Sequence, residues 1–325
     1  MAHYLVTGVA GFIASRVAQM LLDAGHHVLG VDDLNASYDV RLKAYRLRQL
    51  QLHRAFRFLQ MDVADWDAVQ DLRRFGRYDA IVHLAARAGV RMSLRNPWVY
   101  YRTNVTGTVN MLEFARQNQV PKFVLASTSS VYAGTPPPFR EDAATDTPLS
   151  PYAASKKSAE VTAYSYHHLY DIDVTVLRYF TVYGPAGRPD MSPLRFTKWI
   201  CKGQPVRIFG DGTQQRDFTY IDDIARGTLA ALQLEAGYEI INLGNDAPRP
   251  LLDLVRLIEQ ACGRKAQLEF QERHPADMPH TWASIAKARH LLGWEPRVSL
   301  EEGVARLVEW YRAEWDWLYD LRLGD

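Results

Sequence analysis

Cysteine is almost missing from this chain: Cys201 and Cys262 are the only two in 325 residues. Two thiols so far apart suggest neither a disulfide framework nor a metal motif, so they are expected as separate packed thiols in a reducing cytoplasm, and no metal site is expected. Long apolar runs are missing too. Nothing approaches the ~20 residues of a membrane helix, and Met1-Ala-His-Tyr4 enters a strand without a signal segment, which predicts no membrane partner. Nor does charge of one sign dominate. With 38 Lys and Arg against 37 Asp and Glu, the formal net charge is +1, which argues against a broad nucleic-acid footprint. Any anionic ligand must therefore meet local arginines. No internal repeat or low-complexity tract interrupts the chain, and the sequons at Asn35 and Asn104 are expected to be chance matches.

What is present is a globular composition, 47% hydrophobic and 23% charged, long enough for two lobes. His3-Tyr-Leu-Val6 reads as a strand running into Thr7-Gly8-Val-Ala-Gly11-Phe12-Ile13-Ala14 and then a helix to Ala24. Glycines at such a turn let backbone N–H groups approach a pyrophosphate at the helix N-terminus, where the dipole favours an anion. The next strand, His27 to Val31, ends at Asp32, where a carboxylate accepts bonds from an adenosine ribose and repels a 2′-phosphate. NAD is therefore expected rather than NADP, with Asn35 in the same loop. Strand-like runs at Phe56–Gln60, Ala80–Leu84, Lys122–Ser127 and Asp173–Arg178 alternate with helical patterns. That alternation predicts an α/β fold with a Rossmann-type doubly wound parallel sheet.

The division expected is a nucleotide-binding domain over 1–180, joined by parts of 216–245, and a smaller C-terminal α/β lobe over 181–325 that binds substrate. Ser299-Leu-Glu-Glu302 reads as a capping box opening a helix with Val304, Leu307, Val308 and Tyr311 on one face. Trp310, Trp315 and Trp317 are expected to pack lobes together. Helical patterns over 98–118 and 152–170 would share one side of the sheet and suggest a homodimer built on those helices.

The chemistry centres on Tyr152 and Lys156. Tyr-x-x-x-Lys on a helix places a phenol and an ammonium one turn apart on one face, and a neighbouring cation favours the phenolate. Just after the fifth strand, Thr128, Ser129 and Ser130 set hydroxyls at the carboxyl end of the sheet, where ligands of open α/β sheets bind. Hydroxyls and phenol can converge on one substrate atom.

Through Thr7-Gly8-Val-Ala-Gly11-Phe-Ile-Ala14, His83-Leu84-Ala85-Ala86, the hydroxyl cluster and Tyr152-x-x-x-Lys156, nearly the whole chain resembles the extended short-chain dehydrogenase/reductase superfamily. Ala14 stands where that pattern usually has glycine. Within the superfamily it resembles the nucleotide-sugar 4-epimerases, through Arg216-Asp-Phe-Thr-Tyr-Ile-Asp-Asp223 and Asp277-Met-Pro279. The resemblance implies a tightly held NAD, contacted by Gly8, Gly11, Phe12, Ile13, Asp32, Asn35, Asp62, Val63, Leu84, Ala85, Ala86, Tyr152, Lys156 and Tyr179. It also implies a catalytic set of Thr128, Tyr152 and Lys156, a structural role for His83, and a diphosphate met by Arg216 and Arg273, with Asp277 near the nucleotide ribose. Arg87 and Arg91 stay open between cofactor phosphates and the sugar end.

The stretch Arg178-Tyr-Phe-Thr181-Val-Tyr-Gly-Pro-Ala-Gly-Arg188-Pro-Asp-Met191 is similar to the UDP-glucuronate 4-epimerases. Galactose-type epimerases usually carry Asn where Thr181 stands. Oxidising C4 of a glucuronate makes a β-keto acid that loses carbon dioxide when the breaking bond aligns with the carbonyl π system. Ser129, Ser130, Thr181 and Arg188 are expected to hold the carboxylate out of that alignment. Related 4,6-dehydratases and decarboxylases typically place an acid where Ser130 stands, and Glu141 and Asp142 would reach the site only if their loop folds inward. A UDP-glucose/UDP-galactose epimerase, a UDP-glucuronate decarboxylase or 4,6-dehydratase, and a non-catalytic NAD-sensing protein remain the other readings.

Overall fold

The computed structural model describes residues 1–272 and 278–323. Seven strands form the centre: β1 (His3–Thr7), β2 (His27–Asp32), β3 (Phe56–Gln60), β4 (Ala80–His83), β5 (Lys122–Thr128), β6 (Asp173–Tyr179) and β7 (Tyr238–Leu243). Their order is β3-β2-β1-β4-β5-β6-β7, and every pairing is parallel. The expected doubly wound sheet is therefore present, with its order reversing between β1 and β4. Side chains such as Leu5, Ile81, Val82, Val124 and Val176 are fully buried because both faces carry helices.

On one face lie the helices Gly107–Gln117 and Pro151–Tyr170, whose Met111, Leu112, Ala159 and Ala163 join one core. The helix expected over 98–118 runs without interruption from Pro97 to Gln117, with a π-helical stretch, Tyr101–Thr106, between Pro97–Tyr100 and Gly107–Gln117. On the other face, the helix Ile221–Leu232 packs beside Phe12–Asp23, and β7 follows it into the sheet.

The remaining C-terminal elements have their own core. Phe196, Ile200, Ile208, Leu254 and Val304 meet there, with Phe12 of the first helix reaching in. Ser299 caps the helix Leu300–Ala313 by accepting from the Glu302 amide at 3.1 Å, and Val304, Leu307, Val308 and Tyr311 form its buried face. Trp310 and Trp317 pack on Tyr45, with Trp317 stacked at 5.3 Å, so these tryptophans do join the lobe to the sheet half. One expectation fails. Cys201 and Cys262 are joined as a disulfide, because the helices Ser192–Lys202 and Leu251–Cys262 lie side by side and bring the two Cα atoms to 5.7 Å.

Candidate active site

The site collects at the carboxyl ends of β1, β4, β5 and β6. Gly8 follows β1 with φ of +69°, a conformation natural to glycine. A Cβ on Gly8 would stand 2.8 Å from the Ala85 backbone, and one on Gly11 would stand 2.8 Å from the Gly8 carbonyl. Gly11 opens the helix Phe12–Asp23 without any side-chain cap. First-turn amides and a cradle closed to side chains suit a pyrophosphate. Phe12 and Ile13 begin that helix, and the Phe12 ring turns toward the second lobe, 3.7 Å from the position of a Cβ on Gly187.

At the end of β2, Asp32 is a fixed carboxylate. Oδ2 accepts from the Ala10 amide at 3.2 Å, and Oδ1 accepts from the Leu34 amide at 2.8 Å and from Lys43 at 3.0 Å. Asn35 is folded onto Asp33 and Ser37 within its own loop. Arg87 leans to this edge, bonding Ser37 and standing 3.5 Å from Asp33. Its open assignment thus resolves toward the β2 loop. Asp62 holds the Ala64 amide and pairs with Arg102, while Val63 is buried against Gly107. Leu84, Ala85 and Ala86 run out of β4, where the Ala85 amide donates to Thr7 Oγ1 at 3.1 Å.

Ser150 caps the helix Pro151–Tyr170 by accepting from the Ala153 amide, and Pro151 occupies the first turn. Tyr152 consequently sits at the positive end of a 20-residue helix. Its phenol lies near enough to Thr128 to feel that hydroxyl, and Thr128 Oγ1 itself accepts from the Ser130 amide at 3.1 Å and donates to Ser130 Oγ at 3.2 Å. Ser129 is buried beside them. Lys156, one turn on, does not bond the phenol; its ammonium donates to the Ala126 carbonyl at 2.6 Å. Burial lowers its pKa to about 8 against the opposing charge of Glu160. For Tyr152, burial raises the pKa, and the downward pulls come from the Thr128 hydroxyl and the Arg188 charge. The expected depression by Lys156 is therefore corrected: among the chain's own groups it is Arg188 that acts on the phenol by charge.

Beneath this surface runs a buried polar chain. Arg178 forks onto Glu160 at 2.9 and 2.7 Å, Ser127 donates to Glu160 at 2.5 Å, and Arg178 donates to the Tyr132 hydroxyl at 2.8 Å. Asn104, in the π-helical stretch, donates to Ser155 at 2.9 Å and brackets Arg87 with two bonds, tying the loop after β4 to the Tyr152 helix. Tyr100 stands edge-on to Tyr152 with centroids 6.1 Å apart. None of Glu160, Asn104 or Tyr100 has a local signal in the sequence. The partners just named lie 17 to 52 residues away in the chain.

The second wall comes from the segment after β6. Thr181 opens a short strand, Thr181–Tyr183, paired with Phe218–Tyr220. Arg188 lies beyond it, near Gly89 and the Ala88 carbonyl, close enough to act on both Tyr152 and Tyr100. Arg216 donates to the carbonyls of Gln215 and Pro279. Arg91 crosses the cleft to lie 4.2 Å from the Phe209 ring centroid, which ties the loop after β4 to the second lobe. Tyr179 is turned away, its hydroxyl bound to Thr228 at 2.9 Å, so only its backbone faces the strand end. Glu141 holds the Asn242 amide and Asp142 pairs with Arg140 on the surface, so neither supplies an acid at the hydroxyl cluster. Arg273 and Asp277 lie outside the described residues.

A glycine cradle, a fixed carboxylate at the end of β2 and a Thr–Tyr pair beside a buried lysine are the groups of a nicotinamide-dependent enzyme acting on an alcohol. Residues 4–244 match the NAD dependent epimerase/dehydratase family, and the chain belongs to it. It is 57% identical to the UDP-glucuronate 4-epimerase of Thermodesulfobacterium geofontis over 311 residues, 95% of this chain and 96% of that one. Among solved structures it resembles the Bacillus cereus UDP-glucuronic acid 4-epimerase in complex with UDP-glucuronic acid and NAD, with a TM-score of 0.91, 38% identity and coverage of 96% and 99%. The Thermotoga maritima UDP-glucose 4-epimerase with UDP-glucose is also similar, with a TM-score of 0.88, 32% identity and coverage of 96% and 99%.

Proposed function

We infer that the protein is an NAD-dependent isomerase that interconverts UDP-glucuronate and UDP-galacturonate at C4. The observation that carries this reading is the place of a guanidinium, Arg188, beside Gly89 and the Ala88 carbonyl on the Tyr152 side of the cleft. Bound NAD supplies a hydride acceptor and donor. The chain's own groups do the rest. Tyr152, as the phenolate, takes the proton of the 4-hydroxyl as the C4–O double bond forms, Thr128 holds that oxygen, and Lys156 would bond the nicotinamide ribose. The 4-keto sugar turns over and is reduced on its other face, while Tyr152 returns its proton. Gly8, Gly11, Phe12 and Ile13 cradle the cofactor diphosphate with backbone amides, Asp32 and Asn35 meet the adenosine ribose, and the 62–63 and 84–86 segments, with the Tyr179 backbone, line the remainder.

Ser129, Ser130, Thr181 and Arg188 hold the uronate carboxylate, and Arg216 meets the diphosphate of the substrate. The sheet half, 1–180 with parts of 216–245, carries the cofactor, and the rest carries the nucleotide sugar. A second copy of the chain is the partner proposed for the helices near 98–118 and 152–170, which leave Trp98 78% and Leu169 65% exposed, with Tyr101, Val161 and Tyr164 also uncovered. No described helix is long and apolar enough to cross a membrane. The proposed compartment is the cytoplasm.

The deciding experiment incubates the purified protein with UDP-glucuronate and, separately, UDP-glucose, following products by proton NMR. UDP-galacturonate formed only in the first sample supports the reading. UDP-xylose or a keto-deoxy sugar as the main product overturns it.

A further inference from the structure

Arg188 is itself held in a defined pose. Its Nε donates to Asp190 Oδ1 at 3.1 Å and its Nη2 to Asp190 Oδ2 at 2.5 Å, a two-bond fork along one edge of the guanidinium. A longer contact runs from Nη2 to the Ala88 carbonyl at 3.5 Å. Both side chains of the pair are mostly covered, at 25% and 26% exposure. Burial works to raise the Asp190 carboxyl, but the charge and bonds of Arg188, with Arg195 behind them, hold it below the ordinary range, so it stays ionised. A guanidinium has a second two-donor edge, and Nη1 on that edge donates to none of the described residues. Arg188 acts by charge on both Tyr152 and Tyr100, so it lies on the reacting side of the cleft.

We propose that Asp190 is a positioning residue for substrate specificity: it clamps one edge of Arg188 and so presents the other edge to the carboxylate of the bound uronate. This rests on the UDP-uronate reading above and deepens it. A free arginine loses rotamer entropy when it is ordered, and a clamp in place before the substrate arrives removes part of that cost from binding. The clamp also fixes the plane in which the carboxylate is received. Decarboxylation of the 4-keto intermediate breaks the C5–C6 bond, sends its electron pair into the C4 carbonyl as an enolate, releases carbon dioxide and later takes a proton at C5. That requires the C5–C6 bond to align with the carbonyl π system. A guanidinium that cannot swing keeps the carboxylate out of that alignment.

An opposing arrangement, in which Asp190 merely competes with the substrate for Arg188, predicts the opposite sign. Asp190→Asn separates the two, because asparagine keeps the size and one acceptor but turns an amide N–H toward a guanidinium N–H and breaks the fork. Wild type, D190N, D190E and R188A are compared with UDP-glucuronate by proton NMR, and the affinity of each for UDP-glucose, which has no carboxylate, is measured by calorimetry. The expected result for D190N is a KM for UDP-glucuronate raised about tenfold, the loss of one well-aligned bond to a charged group. The UDP-pentose fraction rises, kcat changes less than KM, and UDP-glucose affinity is retained. D190E, which keeps a two-oxygen acceptor, recovers part of the loss. An unchanged or lowered KM in D190N, or equal losses toward both ligands, overturns the proposal. If wild type epimerises UDP-glucuronate while D190N matches it, only this inference fails; if wild type does not, the reading beneath it fails as well.

Discussion

The two walls of the cleft are built differently. On the sheet side, Lys156 bonds the Ala126 carbonyl, Thr128 bonds Ser130 and Tyr152 stands in the first turn of a capped helix, over a layer in which Glu160 and Arg178 are each 1% exposed. On the opposite side, Arg188 and Arg216 stand in and beside loops beyond β6, one held by a carboxylate two residues away and the other bonded to the carbonyls of Gln215 and Pro279. Proton transfer needs atoms fixed to a fraction of an ångström, which strands and a long capped helix supply. Recognition of a substituent needs only a charge in the right direction, which a loop can offer and vary without moving the reacting centre.

The sharpest way to break this contrast is Tyr152→Phe. It removes the proton acceptor and keeps the ring, so kcat should fall by up to about 10⁴-fold, with the UDP-glucuronate dissociation constant and NAD content close to wild type. A loss of binding equal to the loss of rate would mean that the phenol recognises more than it reacts. Next comes Arg178→Met, beneath the same wall. It strands the Glu160 carboxylate, and breaking such a pair by removing one partner costs about 3–5 kcal/mol, visible as a lowered thermal midpoint. If Arg188→Ala destabilises the fold as much, the walls do not differ in kind.

Arg188→Ala should instead spare the fold and act on the substrate. Losing a charged fork corresponds to a KM increase of about 10- to 100-fold for UDP-glucuronate, with more UDP-pentose formed. Unchanged KM and no pentose would remove Arg188 from recognition.

This contrast also explains what was legible in the sequence. The parallel sheet, the glycine turn and the Tyr152–Lys156 helix are local patterns, with alternation of elements and a spacing of four. Arg188 was legible through its neighbours in the chain. The source of charge on Tyr152 was not, because spacing places Lys156 on the right face without saying that its ammonium bonds Ala126 instead of the phenol. Tyr179 shows the same limit: its position at the end of β6 was clear, while its turn toward Thr228 depends on a helix 49 residues on. The disulfide is the clearest case, since two helices packed side by side bridge a separation of 61 residues that sequence alone leaves open.

The smallest effect should come from His83, on the rigid wall. Thr108 Oγ1 gives its proton to the Asn104 carbonyl at 2.6 Å, so it can only accept from His83 Nε2, 3.2 Å away. Thr7 Oγ1 accepts from the Ala85 amide and stands 2.8 Å from Nδ1, which leaves its own proton for that nitrogen. The network thus demands the neutral Nε2–H form, and burial, helped by the Lys156 charge, lowers the pKa to about 3. An unfolded chain takes up this proton near ~6.5, so between there and about pH 3 the unfolded state binds more protons, and this group's contribution to stability declines as pH falls through that window. At working pH nothing should happen: the imidazole NMR signals of His83 should stay flat from pH 8 to pH 5. A His83 midpoint near the ordinary value would mean that water reaches beneath Thr7 and Ala85, and that the wall under the glycine turn is no more rigid than the loops opposite.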